Sequence, residues 1–170
     1  LQLKDGRRIR LLGIDAPEKG RCMADEAREK LVDLAQGRHV RLKNIATDSY
    51  GRMLANVIVK DWPLQRALLA AGLARNRSSV SNPYNQVLKD AQEVAKSAKL
   101  GIWSDACRGQ TPVSEDCTIK GNARAGEKFY YLPSCRQYDQ VLVDRAFGDS
   151  WFCSEQEAKK AGFTKASSCR

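Results

Sequence analysis

Two short stretches concentrate the side chains able to do chemistry. The first, Arg10-Leu-Leu-Gly-Ile-Asp15-Ala-Pro-Glu18, places two carboxylates three residues apart in a proline-bearing turn, with an arginine at the far end of the strand segment that feeds it. The second, Thr47-Asp-Ser-Tyr-Gly-Arg52, is a turn that delivers another arginine to the start of a strand. Guanidinium forks match the oxygens of phosphates and carboxylates bidentately, while carboxylates accept protons or hold hard cations. Arg10 shares a strand face with Leu12 and Ile14, an odd place for a charge unless it lies at a rim beside an anionic partner. Two solvated turns closed by salt bridges would have the same spacing, so both readings stand on these residues alone.

The elements that must hold these turns follow from periodicity. Leu1 to Lys4, Asp5-Gly6, then Arg7 to Ile14 reads as strand, tight turn, strand, because Asp-Gly is a strong hairpin signal. Ala24, Ala27, Leu31, Leu34 and Ala35 recur at helical spacing and Gly37 follows, which predicts a helix over 23–36. His39–Asn44 alternates, and Met53–Lys60 is rich in valine and isoleucine; both read as strands. A helix after Asp61 and Pro63 ends at Gly72, and a longer one starts at Asn82-Pro83 and ends by Gly101, with Tyr84, Val87, Leu88, Ala91, Val94, Ala95 and Ala98 on one stripe. Short strands with three helices suit a small closed barrel of the five-stranded OB kind. Of the lone residues, His39 reads as solvated, Trp103 and Trp151 as core, and Trp62 beside Pro63 as a turn anchor.

Charge narrows the partners. In 170 residues, 29 Lys and Arg against 20 Asp and Glu leave a net charge of +9. Of these, 19 basic and 12 acidic residues lie in 1–106, a balance of +7, so the positive field belongs to that part. Such an excess favours polyanions. No apolar run is long enough to span a bilayer. The six cysteines, at 22, 107, 117, 135, 153 and 169, contain no C-x-x-C pair, and the only histidine is His39. Disulfides are therefore the better reading than zinc, and they imply an oxidising compartment and export as a mature form, since no signal peptide is evident. Domain organisation reads as 1–106, a turn-rich linker at 107–116, and a small module over 117–170.

Four segments carry a resemblance. RLLGIDAPE at Arg10–Glu18, DSYGRMLANV at Asp48–Val57, LLAAGLAR at Leu68–Arg75 and AKSAKLGIWS at Ala95–Ser104 resemble, in order and spacing, the thermonuclease (staphylococcal nuclease-like) family. The resemblance implies an α+β, mainly β fold: a five-stranded OB barrel with three helices. It also implies a calcium-dependent nuclease that cuts DNA and RNA with little sequence preference and leaves 3'-phosphate ends. Arg10 and Arg52 match the family's active-site arginines, Glu18 its general base, and Asp15, the Ala16 carbonyl and Glu18 its calcium site. Tyr50 matches a tyrosine that contacts substrate phosphate.

The chemistry agrees, because attack on a phosphodiester loads negative charge onto the phosphate oxygens and is catalysed by placed cations and an activated water. Oxygen donors without a His/Cys cluster favour calcium or magnesium over zinc. Three departures stand out. A D-G-D-T-like stretch bearing another calcium-binding aspartate would lie ahead of Leu1, and its absence is read as truncation or processing. Ser49 replaces a frequent lysine. The stacking tyrosines after the second helix give way to Arg75-Asn-Arg-Ser-Ser-Val80, so substrate binding is expected to rest on Arg75 and Arg77 beside Ser49 and Tyr50, with strong salt dependence.

The tail, with CTIKGN from Cys117, EKFYYLPSCRQYD from Glu127 and WFCSEQEAKKAGF from Trp151, resembles a module appended to many bacterial nucleases of this family. Ser154 and Glu157 form a capping box. A disulfide-stabilised α/β appendage is the expectation, with Cys117 joined to Cys153, Cys135 to Cys169 and Cys22 to Cys107 out of the fifteen pairings possible. Two other readings stay open. One is a non-catalytic nucleic-acid or protein-binding module on the same barrel, against which Arg10, Glu18 and Arg52 speak. The other is a basic, disulfide-stapled protein of the cell surface.

Overall fold

The computed structural model describes residues 1–78, 82–112 and 114–169. The chain divides into two compact units: Leu1–Ala16 with Ala24–Leu100, and Pro17–Met23 with Gly101–Arg170.

In the first unit the elements run β1 (Ile9–Leu11), β2 (Ile14–Asp15), α1 (Ala24–Ala35), β3 (Arg41–Thr47), β4 (Met53–Val59), β5 (Trp62–Pro63), α2 (Leu64–Ala70), β6 (Arg75–Asn76) and α3 (Pro83–Ser97). β4 is the spine: β1 pairs with it in parallel, and β3 and β5 pair with it antiparallel. Its Ala55, Val57 and Val59 alternate onto the core with Ile9, Ala35 and Leu64. The opening hairpin has a Gln2–Arg8 bridge, with the Leu3 amide donating to the Arg7 carbonyl and the Ile9 amide to the Leu1 carbonyl. The strand expected to run unbroken from Arg7 to Ile14 is interrupted, because Gly13 turns the chain at φ +75. Beyond that turn, β2 pairs with β6 instead, setting Asp15 opposite Arg75.

The architecture is mixed α/β, and among the described residues the strand pairings do not close into a five-stranded barrel. The 39–44 strand is displaced to 41–47, where Asn44 at φ +51 marks an irregularity between Lys43 and Ala46. The helices agree with their predicted bounds to within a few residues. Asn82 caps α3, its side chain accepting from the Asn85 amide. Its apolar stripe is narrower than expected: Leu88, Ala91 and Ala95 are buried, whereas Val87 and Val94 on its flank are exposed.

The second unit carries β7 (Arg108–Gly109), β8 (Ile119–Arg124), β9 (Glu127–Tyr131), β10 (Val143–Asp144), β11 (Ser150–Phe152), α4 (Glu155–Lys160) and β12 (Thr164–Lys165). Its sheet runs β11-β8-β9-β12, and β7, within the stretch read as a linker, pairs with β10. Ile119, Tyr130, Phe152, Ala158 and Phe163 form its core. Gly121 is demanded by packing, since a Cβ there would lie 2.5 Å from the Phe152 ring and 2.9 Å from that of Phe163. The Ser154 hydroxyl caps α4 by accepting from the Glu157 amide. Lys120 is buried, with its ammonium donating to the Gln110 side chain and the Tyr138 carbonyl and lying 4.1 Å from the Tyr138 ring centre. Burial lowers its pKa. Disulfides join Cys22–Cys107, Cys117–Cys153 and Cys135–Cys169, all within this unit.

Candidate active site

Arg52 is delivered by the turn between β3 and β4. Asp48 builds that turn: its Oδ1 accepts the amides of Tyr50 and Arg52, both at 2.9 Å, and its Oδ2 accepts Arg52 Nε at 2.7 Å. Gly51 at φ +73 completes the reversal. The carboxyl of Asp48 is held below the usual carboxylate range, first by the Arg52 amide and then by the Arg52 side chain and the Tyr50 amide. With Nε engaged, the Arg52 fork keeps its two terminal nitrogens for another anion. The Tyr50 ring, 81% exposed, lies 5.0 Å from the guanidinium carbon, and Ser49 beside it is exposed.

Arg10 sits on β1, opposite Leu54 of β4. Arg52 stands in the turn immediately ahead of β4, two residues before Leu54. The Arg10 side chain is half exposed and its Nη2 lies 3.9 Å from Asp15 Oδ1. Arg75 Nε and Nη2 both donate to Asp15 Oδ2, at 3.2 and 2.9 Å. Asp15 thus sits between two guanidinium groups, one close and one at the limit of an ion pair. Arg75, expected at the substrate, has its fork on this carboxylate. Arg77 is exposed, with its amide donating to the Gly13 carbonyl.

Glu18 and Ala16 are both exposed; Glu18 belongs to the 17–23 stretch of the second unit, where its carbonyl accepts the Arg21 amide. The donors named for a metal are all hard oxygens, which suits calcium or magnesium in kind. Among the described residues there is no group of three or more His, Cys, Asp or Glu that could hold a metal ion. His39 is exposed, as read, and Trp62, read as a turn anchor, directly follows the Lys60–Asp61 turn and is 64% exposed.

Sequence reasoning passed over Asp48 as a working residue. The signal was present: an aspartate opening a turn that contains glycine and ends in arginine is the pattern of a side chain capping its own turn.

Residues 8–105 match the model of the staphylococcal nuclease homologue family. The chain belongs to the staphylococcal nuclease family. Its curated relatives include a micrococcal nuclease of Shigella flexneri, 30% identical over 58% of this chain and 62% of that protein. An uncharacterized endonuclease of Haemophilus influenzae is 31% identical over 58% of this chain and 54% of its own length. Another, from Escherichia coli O157:H7, is 35% identical over 62% and 71%. The chain therefore spans about half to seven tenths of these nuclease-family proteins.

Proposed function

We propose that this chain is a calcium-dependent nuclease hydrolysing phosphodiester bonds of DNA and RNA with little sequence preference and leaving 3'-phosphate ends. Residues 1–106 form its nuclease domain, of OB-barrel type; 117–170 form an appended module, joined through 107–116. Arg10 and Arg52 bind the phosphate oxygens and neutralise the charge that develops on them, Arg52 with its fork aimed by Asp48. Glu18 takes a proton from the attacking water. Ser49, Tyr50 and Arg77 contact the substrate strand, and Arg75 contributes through Asp15. Asp15, the Ala16 carbonyl and Glu18 would hold the calcium ion, which when bound supplies further positive charge at the phosphate. The observation that supports this reading best is the placement of Arg10 on β1, which pairs with β4, and of Arg52 in the turn that enters β4, inside the stretch that matches the nuclease family. Three disulfides support a secreted or periplasmic setting.

The test is cleavage of DNA and RNA with calcium or with a chelator. Fragments only with calcium are expected. Glu18→Gln and Arg52→Ala should each slow the reaction by roughly 10²- to 10³-fold while the chain still folds, the loss typical of a missing transition-state contact. Retarded migration of DNA without cleavage would establish a binding module instead, and wild-type rates in either variant would overturn the roles assigned.

A further inference from the structure

An exposed tryptophan stands at the other end of β4 from Arg52. Lys60 and Asp61, with φ of +48 and +67, make the tight turn between β4 and β5, and Trp62 comes next, opposite Val59. Its ring is 64% exposed, so it is not packed as a core residue. The Arg66 guanidinium carbon lies 5.1 Å from the ring centre. Arg41, at the start of β3, reaches across the turn to Asp61 at 2.8 Å. Lys60 and Arg66 are exposed, so the turn carries Lys60, the Arg41–Asp61 pair and the guanidinium of Arg66 beside the ring.

A flat aromatic face steadied by a guanidinium and set among cations fits one ligand chemistry well: an unpaired base attached to phosphates. A duplex hides its base faces and does not fit. The rise along β4 separates Trp62 from Arg52 by about 23 Å. Barrel-type single-strand sites begin at about four nucleotides, a length of extended strand that bridges such a gap. β3 runs beside β4 between the two ends. Arg41 and Lys43, opposite Ile58 and Asn56, share one face, whereas Trp62, opposite Val59, is on the other, so a strand reaching the ring passes around the β4–β5 turn.

We propose that Trp62 and Arg66 form an outlying stacking site for single-stranded nucleic acid, gripping the substrate several nucleotides away from the bond that is cut. This rests on the nuclease reading for its kinetic consequence, but not for binding itself.

The experiment uses the full chain and its Trp62→Ala and Trp62→Phe variants, with a thymidine dinucleotide and a thymidine dodecamer as substrates. Trp62→Ala should raise KM for the dodecamer roughly 5- to 150-fold, the cost of losing one base-stacking ring. It should leave kcat, and every parameter for the dinucleotide, unchanged. Trp62→Phe should restore most of the dodecamer affinity. In parallel, the dodecamer should quench tryptophan fluorescence in the wild type and much less in Trp62→Ala. Equal KM for Trp62→Ala and wild type on the dodecamer, with equal quenching, would overturn the proposal. So would a loss confined to binding of anionic phospholipid vesicles, which would make the ring a membrane contact. If the wild type cleaves neither substrate the nuclease reading fails, and the quenching titration still decides the stacking site.

Discussion

Arg52 is useful only if its fork points one way, and a long side chain that is half exposed has many rotamers to lose. Asp48 removes that freedom with one oxygen on the backbone amides and the other on Nε. Asp48→Asn keeps the shape and loses the charge that strengthens these bonds. We expect kcat for cleavage to fall about 10- to 100-fold, the range for modest misplacement of a reacting contact. The lowered native pKa gives a second readout. The carboxylate favours the folded state above the ordinary value of about 3.9, and that benefit disappears as pH falls through the lower native value. The difference in urea midpoint between wild type and Asp48→Asn should therefore hold steady above about pH 5 and shrink towards zero in stronger acid. A difference independent of pH down to full protonation would show that the carboxylate charge is not what orders the turn.

Much of the element order was legible because periodicity and punctuation are local. Gly37, Gly72 and the Asn82-Pro83 start mark helix ends that the structure keeps. The pairing of β2 with β6 was not legible: whether Gly13 turns the chain or continues a strand depends on a partner some sixty residues later, and with it went the Asp15–Arg75 contact. The same holds for Gln65, which reads as an ordinary polar residue on α2 yet is fully buried. Its Nε2 donates to the Ala55 carbonyl and Asn56 Oδ1, each at 3.2 Å, and its Oε1 accepts the Val57 amide at 3.3 Å. This side chain is the polar seam between α2 and β4. Gln65→Leu strands those buried groups, and unfolding stability should drop by about 2–4 kcal/mol in a urea titration with unchanged slope. A loss under about 0.5 kcal/mol would mean that they find other partners.

The six cysteines are distributed unevenly over the molecule. All three disulfides lie in the second unit, and the first, which carries both candidate phosphate-binding arginines, has none. The small core of the second unit, five buried residues with Phe152 and Phe163 edge to face, cannot be expected to stand alone. In the chain-entropy model each crosslink contributes about 3–5 kcal/mol. Cys22–Cys107 has a further consequence, because it fastens the 17–23 stretch that bears Glu18 to residues 101–170 across 85 positions of sequence. Reduction should therefore act in two separable ways. Hydrogen exchange in dithiothreitol should show protection lost over 101–169 and retained over β4 and α2, whose order depends on apolar burial and the Gln65 seam. Cleavage should also fall, by up to about 100-fold, because the stretch that bears Glu18, the proposed base, is released. The double variant Cys22→Ser, Cys107→Ser isolates the second effect: it should lose activity while the Cys117–Cys153 and Cys135–Cys169 crosslinks keep the appended module protected. Full activity in that variant would mean that the Glu18 stretch is held by the chain around it, and that the disulfide serves folding alone.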